Sequence, residues 1–442
     1  MREIESIFLD AVRAVDPESA LASSVRRCGE ILVAGRHSFD LSAFERIFVV
    51  GAGKAAAKMA KKMEEILGDR ITEGLVVTKY GHGEALRFIG VAEASHPIPD
   101  ESGMMATGRI LDLANRADEK ALLVCLLSGG ASALLVSPAG ELVLEDKKRA
   151  TSLLLGAGAD ILETNCVRKH LSRVKGGNLA RAAHPARILS LVLSDVIGDR
   201  FDVIASGPTC QDESTYADAL EVISGFGLSM PPRVMEHLTA GAKGRFPETV
   251  KEGDPCLENA SIVLLANLVM ALDAAEKCAG ELGFMVERVS NELSGEARDA
   301  GVFLANLARE RLDRMGPGQR ICLLSGGETT VKVRGKGKGG RNQELALAFA
   351  ISIEGISGIS FLSAGTDGGD GPTDAAGAIV DGGTVELAEM HGLDPDAFLG
   401  ENDSYGFFSR LDAASGSKCH FRTGPTGTNV MDIQIVLLGK GP

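Results

Sequence analysis

RIFVVGAGKAAAKMAKKMEEIL, residues 46–67, opens on a short apolar run, turns on two glycines and continues as an Ala-, Met- and Lys-rich stretch. An apolar run bounded by glycine predicts a buried strand over Arg46–Val50, and the stretch after Lys54 predicts a helix to about Leu67. GLVVT at Gly74–Thr78 predicts a second strand. Further strands are expected at Val91–Ala94, Ala121–Leu127 and Ile188–Leu193, with helices over 100–114, 145–165 and 173–183 between them. Short apolar runs alternating with helices indicate parallel βαβ units. Ahead of them, residues 3–35 read as one or two amphipathic helices, with Ile4, Ile7, Phe8, Val12 and Val15 on one face.

FGLSMPPR, Phe226–Arg233, breaks this rhythm with glycine and a Pro-Pro pair, and is read as a candidate hinge. The alternation then resumes. Strands are expected at Ile262–Ala266, Met285–Val289, Ile321–Leu324, Thr330–Arg334, Ile359–Ser363 and Ile433–Leu438, with helices at 268–282, at 295–315 and from Gln343. At 442 residues the chain exceeds one ordinary core. The expected division is residues 1–235 and 236–442, each an α/β domain.

The formal charge of −14 and the absence of tryptophan argue against nucleic acid and anionic membrane surfaces as partners. No apolar run is long enough for a membrane span, and the acidic, amphipathic N-terminus has no signal-peptide core, so a cytoplasmic location is expected. The eight cysteines include no C-x-x-C pair and read as structural thiols. An anionic substrate would need a local cationic pocket in so acidic a chain.

Leu323–Glu344, LLSGGETTVKVRGKGKGGRNQE, offers one: a strand, the turn Ser325-Gly326-Gly327, then a glycine-rich loop with five cations. Glycines let backbone N–H groups close on an anion. The same strand and turn occur at VCLLSGG, where the amides of Gly129-Gly130 and the hydroxyls of Ser128 and Ser132 could hold phosphate oxygens; a plain turn with Ser132 as helix cap is the alternative. Gly51-Ala52-Gly53-Lys54 meets neither nucleotide fingerprint. The next strand ends in Thr78-Lys79-Tyr80 without a ribose-binding carboxylate, and Phe48 and Ala55 fill the places where a Walker loop has Gly and Ser/Thr. It stands between an anion-binding helix start and a tight turn.

RKHLSRVKGG, Arg168–Gly177, reads as a solvated cationic face, with Lys175 drawn towards an anion by the glycines that follow. Asp195 ends a buried strand, where it could take a hydroxyl proton, hold Mg²⁺, or cap a helix. SAGTDGGDGPTD, Ser363–Asp374, spaces three aspartates as hard-cation ligands or turn formers. TGPTGTN, Thr423–Asn429, could close over a phosphate or simply reverse the chain.

Together GAGKAA, SHPIPD, LLSGGASALL, VRKHLSRVKGG, LSDVIGD, IASGPT, GGETTVKVRGKGKGGRNQELALA, AGTDGGDGPTDAAGAIVD and TGPTGTNVMD resemble, in order from about Ile47 to Asp432, the class II glycerate kinases of the MOFRL type. Some of these are named hydroxypyruvate reductases. The resemblance implies an N-terminal Rossmann-like domain with a mostly parallel sheet, a C-terminal MOFRL domain with a mixed sheet, and an active site in the cleft between them. It implies ATP- and Mg²⁺-dependent phosphorylation of D-glycerate, in most members at the 2-hydroxyl; 3-phosphorylation and NAD(P)H-dependent hydroxypyruvate reduction are the alternatives. A homodimer is compatible with it. The family's key lysine matches Lys54 and its key arginine Arg341. Met431 departs from the family's frequent Asn before the final Asp.

On this reading Lys54, Arg341 and Asp195 are catalytic, with Asp195 orienting or deprotonating the attacking hydroxyl and Asp367 as its alternative. Nucleotide-binding residues are Ser128, Gly129, Gly130, Ser132, Lys175, Ser325, Gly326, Gly327, Glu328, Asn342, Thr428 and Asn429. Asp367 and Asp374 are the expected metal contacts.

Overall fold

The computed structural model describes residues 2–440, which fold as two compact units. One is Pro17–Leu265. The other joins the N-terminal residues up to Asp16 to those from Ala266 onward. The compact units thus change over at 265/266, whereas the division expected from sequence was at 235/236. The first helix, Arg2–Ala14, goes with the second unit because Ile4, Ile7, Phe8, Ala11 and Val15 are fully buried and the helix packs on Leu268–Glu281. Phe226–Arg233 lies inside the Pro17–Leu265 unit, linking helices Tyr216–Gly225 and Pro232–Ala242.

The Pro17–Leu265 unit is built on a six-stranded sheet in the order Ile89–Ala94, Glu73–Lys79, Arg46–Ala52, Ala121–Leu127, Arg187–Leu193, Ala260–Ala266. In chain order this is 3-2-1-4-5-6, the doubly wound arrangement. The first five run parallel in register, Arg46 opposite Ala121 and Ala52 opposite Leu127. The four strands inside the Ile89–Ala94 edge are buried almost throughout, as strands covered by helices on both faces must be. A helical group over 144–170 and 216–242 encloses its own small core of Leu154, Val167, Tyr216 and Leu238. Residues 25–40, expected as helix up to residue 35, instead form an antiparallel meander of three short strands.

The second unit carries a mixed six-stranded sheet: Met285–Leu293, Arg320–Gly327, Asp432–Gly439, Ile359–Gly365, Gly377–Asp381, His420–Phe421. The first pair is parallel and the rest antiparallel. Thr330–Arg334 is not a strand. Beyond one bridge from Thr330 to Glu296, its N–H groups are taken by side chains: Lys332 N–H by the Glu296 carboxylate and Arg334 N–H by Asn402 Oδ1. The expected helix over 173–183 begins only at Asn178, because Gly176 and Gly177 adopt left-handed φ of 56° and 78°. Among the described residues no helix is long and apolar enough to cross a membrane.

Candidate active site

In the Pro17–Leu265 unit the chain reverses winding direction between strands Arg46–Ala52 and Ala121–Leu127, and the loops leaving their carboxyl ends interlock there. Ser128 N–H donates to Ala52 O at 3.1 Å, Lys54 N–H to Gly129 O at 2.9 Å, and Ala55 N–H to Ser128 Oγ at 3.1 Å. Gly53 makes the approach possible: its φ is +134°, and a β-carbon on it would overlap Ser128 Oγ. Doubly wound sheets open their ligand crevice at this point. The Lys54 stem and the His96 ring both close over Gly130, 3.4 and 3.1 Å from where its β-carbon would stand. Nearby, His82 is held below its ordinary pKa by burial and by the charges of Lys79 and Lys54. Asp195 follows strand Arg187–Leu193 on the same edge of the sheet and is half-buried.

The run 168–175 is not a solvated face. Lys169, His170 and Lys175 are buried and Arg168 is half-buried. Lys175 Nζ donates to Ser132 O at 2.9 Å, and Ser132 Oγ meets Ser206 Oγ at 2.8 Å.

In the second unit three sheet ends converge. Asp432 begins its strand directly opposite Gly327 on one side and Gly365 on the other. Its buried carboxylate receives Arg341 in a two-pronged bond, Nη2 to Oδ1 at 2.9 Å and Nε to Oδ2, while Arg341 Nη1 reaches Glu328 at 2.7 Å. Burial works against the guanidinium's charge, but Asp432 and Glu328 outweigh it and raise the arginine's pKa above its ordinary value. Arg341 opens helix Arg341–Ser352, whose first turn is held by Asp370: its carboxylate accepts from the N–H groups of Asn342 at 3.0 Å and Gln343 at 2.9 Å. Burial pushes Asp370 up to about 6 against those bonds. A pocket of about 560 Å³, lined by Glu328, Thr329, Gly339, Gly340, Arg341 and Asn402 among others, lies beside Arg341.

Several expected binding residues are committed elsewhere. Asn342 is buried, giving Nδ2 to Asp370 and receiving Ser363 Oγ at 2.6 Å. Thr428 Oγ1 donates to Val15 O at 2.7 Å, and Ser325 Oγ to Gln434 inside the sheet. Asn429 accepts from Met431 N–H at 3.2 Å. Asp374 is exposed and held by Tyr405 at 2.8 Å and Arg422 at 3.1 Å. Asp367 and Asp432 stand differently, with an Oδ1 of each 3.4 Å from the β-carbon position of Gly365. Among the described residues no three His, Cys, Asp or Glu side chains gather as a metal-holding group.

Read from sequence, Asp432 has no site role, and Asp370 only that of one of three hard-cation ligands or turn formers. Each lies in a stretch that was singled out. Their signal was position, Asp432 opening the last strand and Asp370 central among three aspartates, but only the fold shows that both serve Arg341.

The first unit is a doubly wound α/β domain with a glycine-lined switch point, and the second a mixed-sheet α/β domain centred on an arginine–carboxylate pair. Residues 3–239 match a domain of unknown function, DUF4147, and residues 321–432 match the MOFRL family. The chain is 46% identical to D-glycerate 2-kinase of Thermotoga maritima over 89% of this chain and 91% of that protein. It is 39% identical to glycerate 2-kinase of Pyrococcus horikoshii over 97% and 95%. The crystal structure of a Thermotoga maritima glycerate kinase is similar with a TM-score of 0.84 at 42% identity, covering 99% of each chain. The chain belongs to the MOFRL family, in the branch that pairs this domain with DUF4147.

Proposed function

We propose that this protein is a glycerate 2-kinase, transferring a phosphoryl group from ATP to the 2-hydroxyl of D-glycerate. The observation that carries the reading is 46% identity to a D-glycerate 2-kinase along nearly nine-tenths of the chain. The interlocked loops at the switch point support it: they present backbone amides and one lysine, which phosphoryl transfer requires far more than covalent chemistry.

In this mechanism the Gly129-Gly130 amides hold phosphate oxygens, whereas Gly326 and Gly327, expected as a matching turn, end the strand Arg320–Gly327 paired with Asp432 and Ile433. Lys54 and Arg341 neutralise charge on the transferred group and on the glycerate carboxylate. Asp195, at the strand end beside the switch-point loops, orients the attacking hydroxyl and accepts its proton; Asp367 is the alternative. The pocket of about 560 Å³ beside Glu328 and Arg341 is of the size small-molecule ligands occupy and is assigned to the nucleotide. Of the remaining expected contacts, Ser128, Ser132 and Lys175 act from behind the phosphate turn, while Asn342, Ser325, Thr428 and Asn429 shape the loops.

Mg²⁺ suits the second unit, since this ion is commonly held by one or two carboxylates with phosphates and water completing its shell. Asp367, with Asp432 across the gap left by Gly365, would hold it; Asp374 would join only by leaving Arg422 and Tyr405. Bound there, the ion offsets negative charge on the phosphates. A cytoplasmic location and a homodimer belong to the same proposal.

Release of ADP on mixing the protein with ATP, Mg²⁺ and D-glycerate tests the reading. Oxidation of NADH or NADPH by hydroxypyruvate, without ADP release, would replace it with a reductase.

A further inference from the structure

Three cations are buried together behind the Ser128–Ser132 turn. Lys147 and Lys175 are 6% and 1% exposed, and Arg168 is half-buried. Arg168 Nη2 and Lys175 Nζ donate to one and the same acceptor, Ser132 O, at 3.2 and 2.9 Å, and Lys147 Nζ donates to Leu171 O at 2.7 Å. Among the described residues no carboxylate is paired with any of them. The neighbouring Lys169 shows the contrast, being matched by Asp212 at 3.1 Å and Asp202 at 3.6 Å.

Burying like charges without a counter-charge is costly, so lysines in such a cluster resist protonation until an anion accompanies them. The guanidinium carries five N–H donors, one of which is used on Ser132 O. The carbonyl it touches belongs to the turn that carries Gly129 and Gly130, and Ser132 Oγ is fixed in turn by Ser206 Oγ, which donates to Asn165 Oδ1 at 3.1 Å.

We propose that Arg168, backed by Lys147 and Lys175, forms an oxyanion subsite at the Ser128–Ser132 turn that binds a phosphate or carboxylate group of the substrates. The proposal rests on the kinase reading for the identity of that anion. The electrostatics agree with it. Burial and Arg168 press Lys147 down to about 7, and burial with Arg168 and Lys147 holds Lys175 well below its ordinary pKa, so an anion restores charge to groups that resist it when alone.

Arg168→Met tests the subsite. With inorganic phosphate as probe, the wild-type melting temperature rises with phosphate concentration, and the variant loses that response while its ligand-free form unfolds at no lower urea concentration. In steady-state assays one KM rises about 10- to 100-fold. A rise for D-glycerate with KM for ATP unchanged identifies the carboxylate, and the reverse identifies a nucleotide phosphate. Both KM values and the phosphate response at wild-type levels, or a ligand-free variant that unfolds earlier or fails to fold, mark Arg168 as a structural prop and overturn the proposal. Lys147→Met is read alongside, with a ligand-free protein at least as stable as wild type and a weakened phosphate response expected. The phosphate arm needs no turnover, so absence of kinase activity in the wild type would refute the kinase reading without deciding the subsite.

Discussion

Arg341 grips Asp432 through two parallel bonds, and Asp432 lies in register between Gly327 and Gly365, so the arginine is held where three sheet ends meet. The fork geometry matters as much as the charge, since a guanidinium is positioned by two bonds where an ammonium is held by one.

Removing the partner therefore acts on both fold and activity. Asp432→Asn leaves a half-buried arginine short of its main counter-charge, with Glu328 still in contact at 2.7 Å. The expected cost is about 3 kcal/mol, read from urea unfolding. Arg341→Lys keeps the charge and loses the fork, and kcat/KM is expected to fall about 10²-fold or more with little change in unfolding midpoint.

Lys54 separates the two effects in the other unit. Its backbone N–H makes the contact to Gly129, so Lys54→Ala retains the loop and the fold. Turnover is expected to fall about 10²- to 10³-fold at an unchanged melting temperature. Gly53→Ala, one residue away, is expected to cost about 1–3 kcal/mol by calorimetry, because φ of +134° and the clash with Ser128 oppose any side chain.

Asp370 gives a pH signature. Its folded pKa is raised to about 6 from an ordinary 3.8, with burial the largest cause. A raised carboxyl contributes stability that is full below the unfolded value and is lost as pH climbs through the folded one. Relative to wild type, Asp370→Asn is thus expected to gain stability between pH 4 and 6. Parallel denaturation curves at several pH values check this, and a difference that does not change with pH contradicts it.

Much of the fold was legible because strand runs such as Arg46–Val50 and Ala121–Leu127 are apolar, short and closed by glycine, and such runs have few alternatives. The failures share one cause. Arg26, Arg27, Ser38 and His37 gave residues 25–40 no strand periodicity, and Thr330–Arg334 alternates like a strand but spends its N–H groups on Glu296 and Asn402. In both, partners distant in sequence decided the backbone. The site divides the same way. Lys54 and Gly129 stand in loops, and Arg341 at the start of a helix, whose glycines advertise them. The burial of Arg168 and the clasp of Asp432 and Asp370 on the arginine helix depend on packing that a linear pattern does not encode.

Phosphorus NMR of the product from ATP, Mg²⁺ and D-glycerate bears most directly on the whole account. The expected spectrum shows ADP and a single new phosphomonoester whose proton coupling marks attachment at the secondary carbon, as in 2-phosphoglycerate. A spectrum with ATP unconsumed, or with the phosphoryl group on the primary carbon, would contradict it.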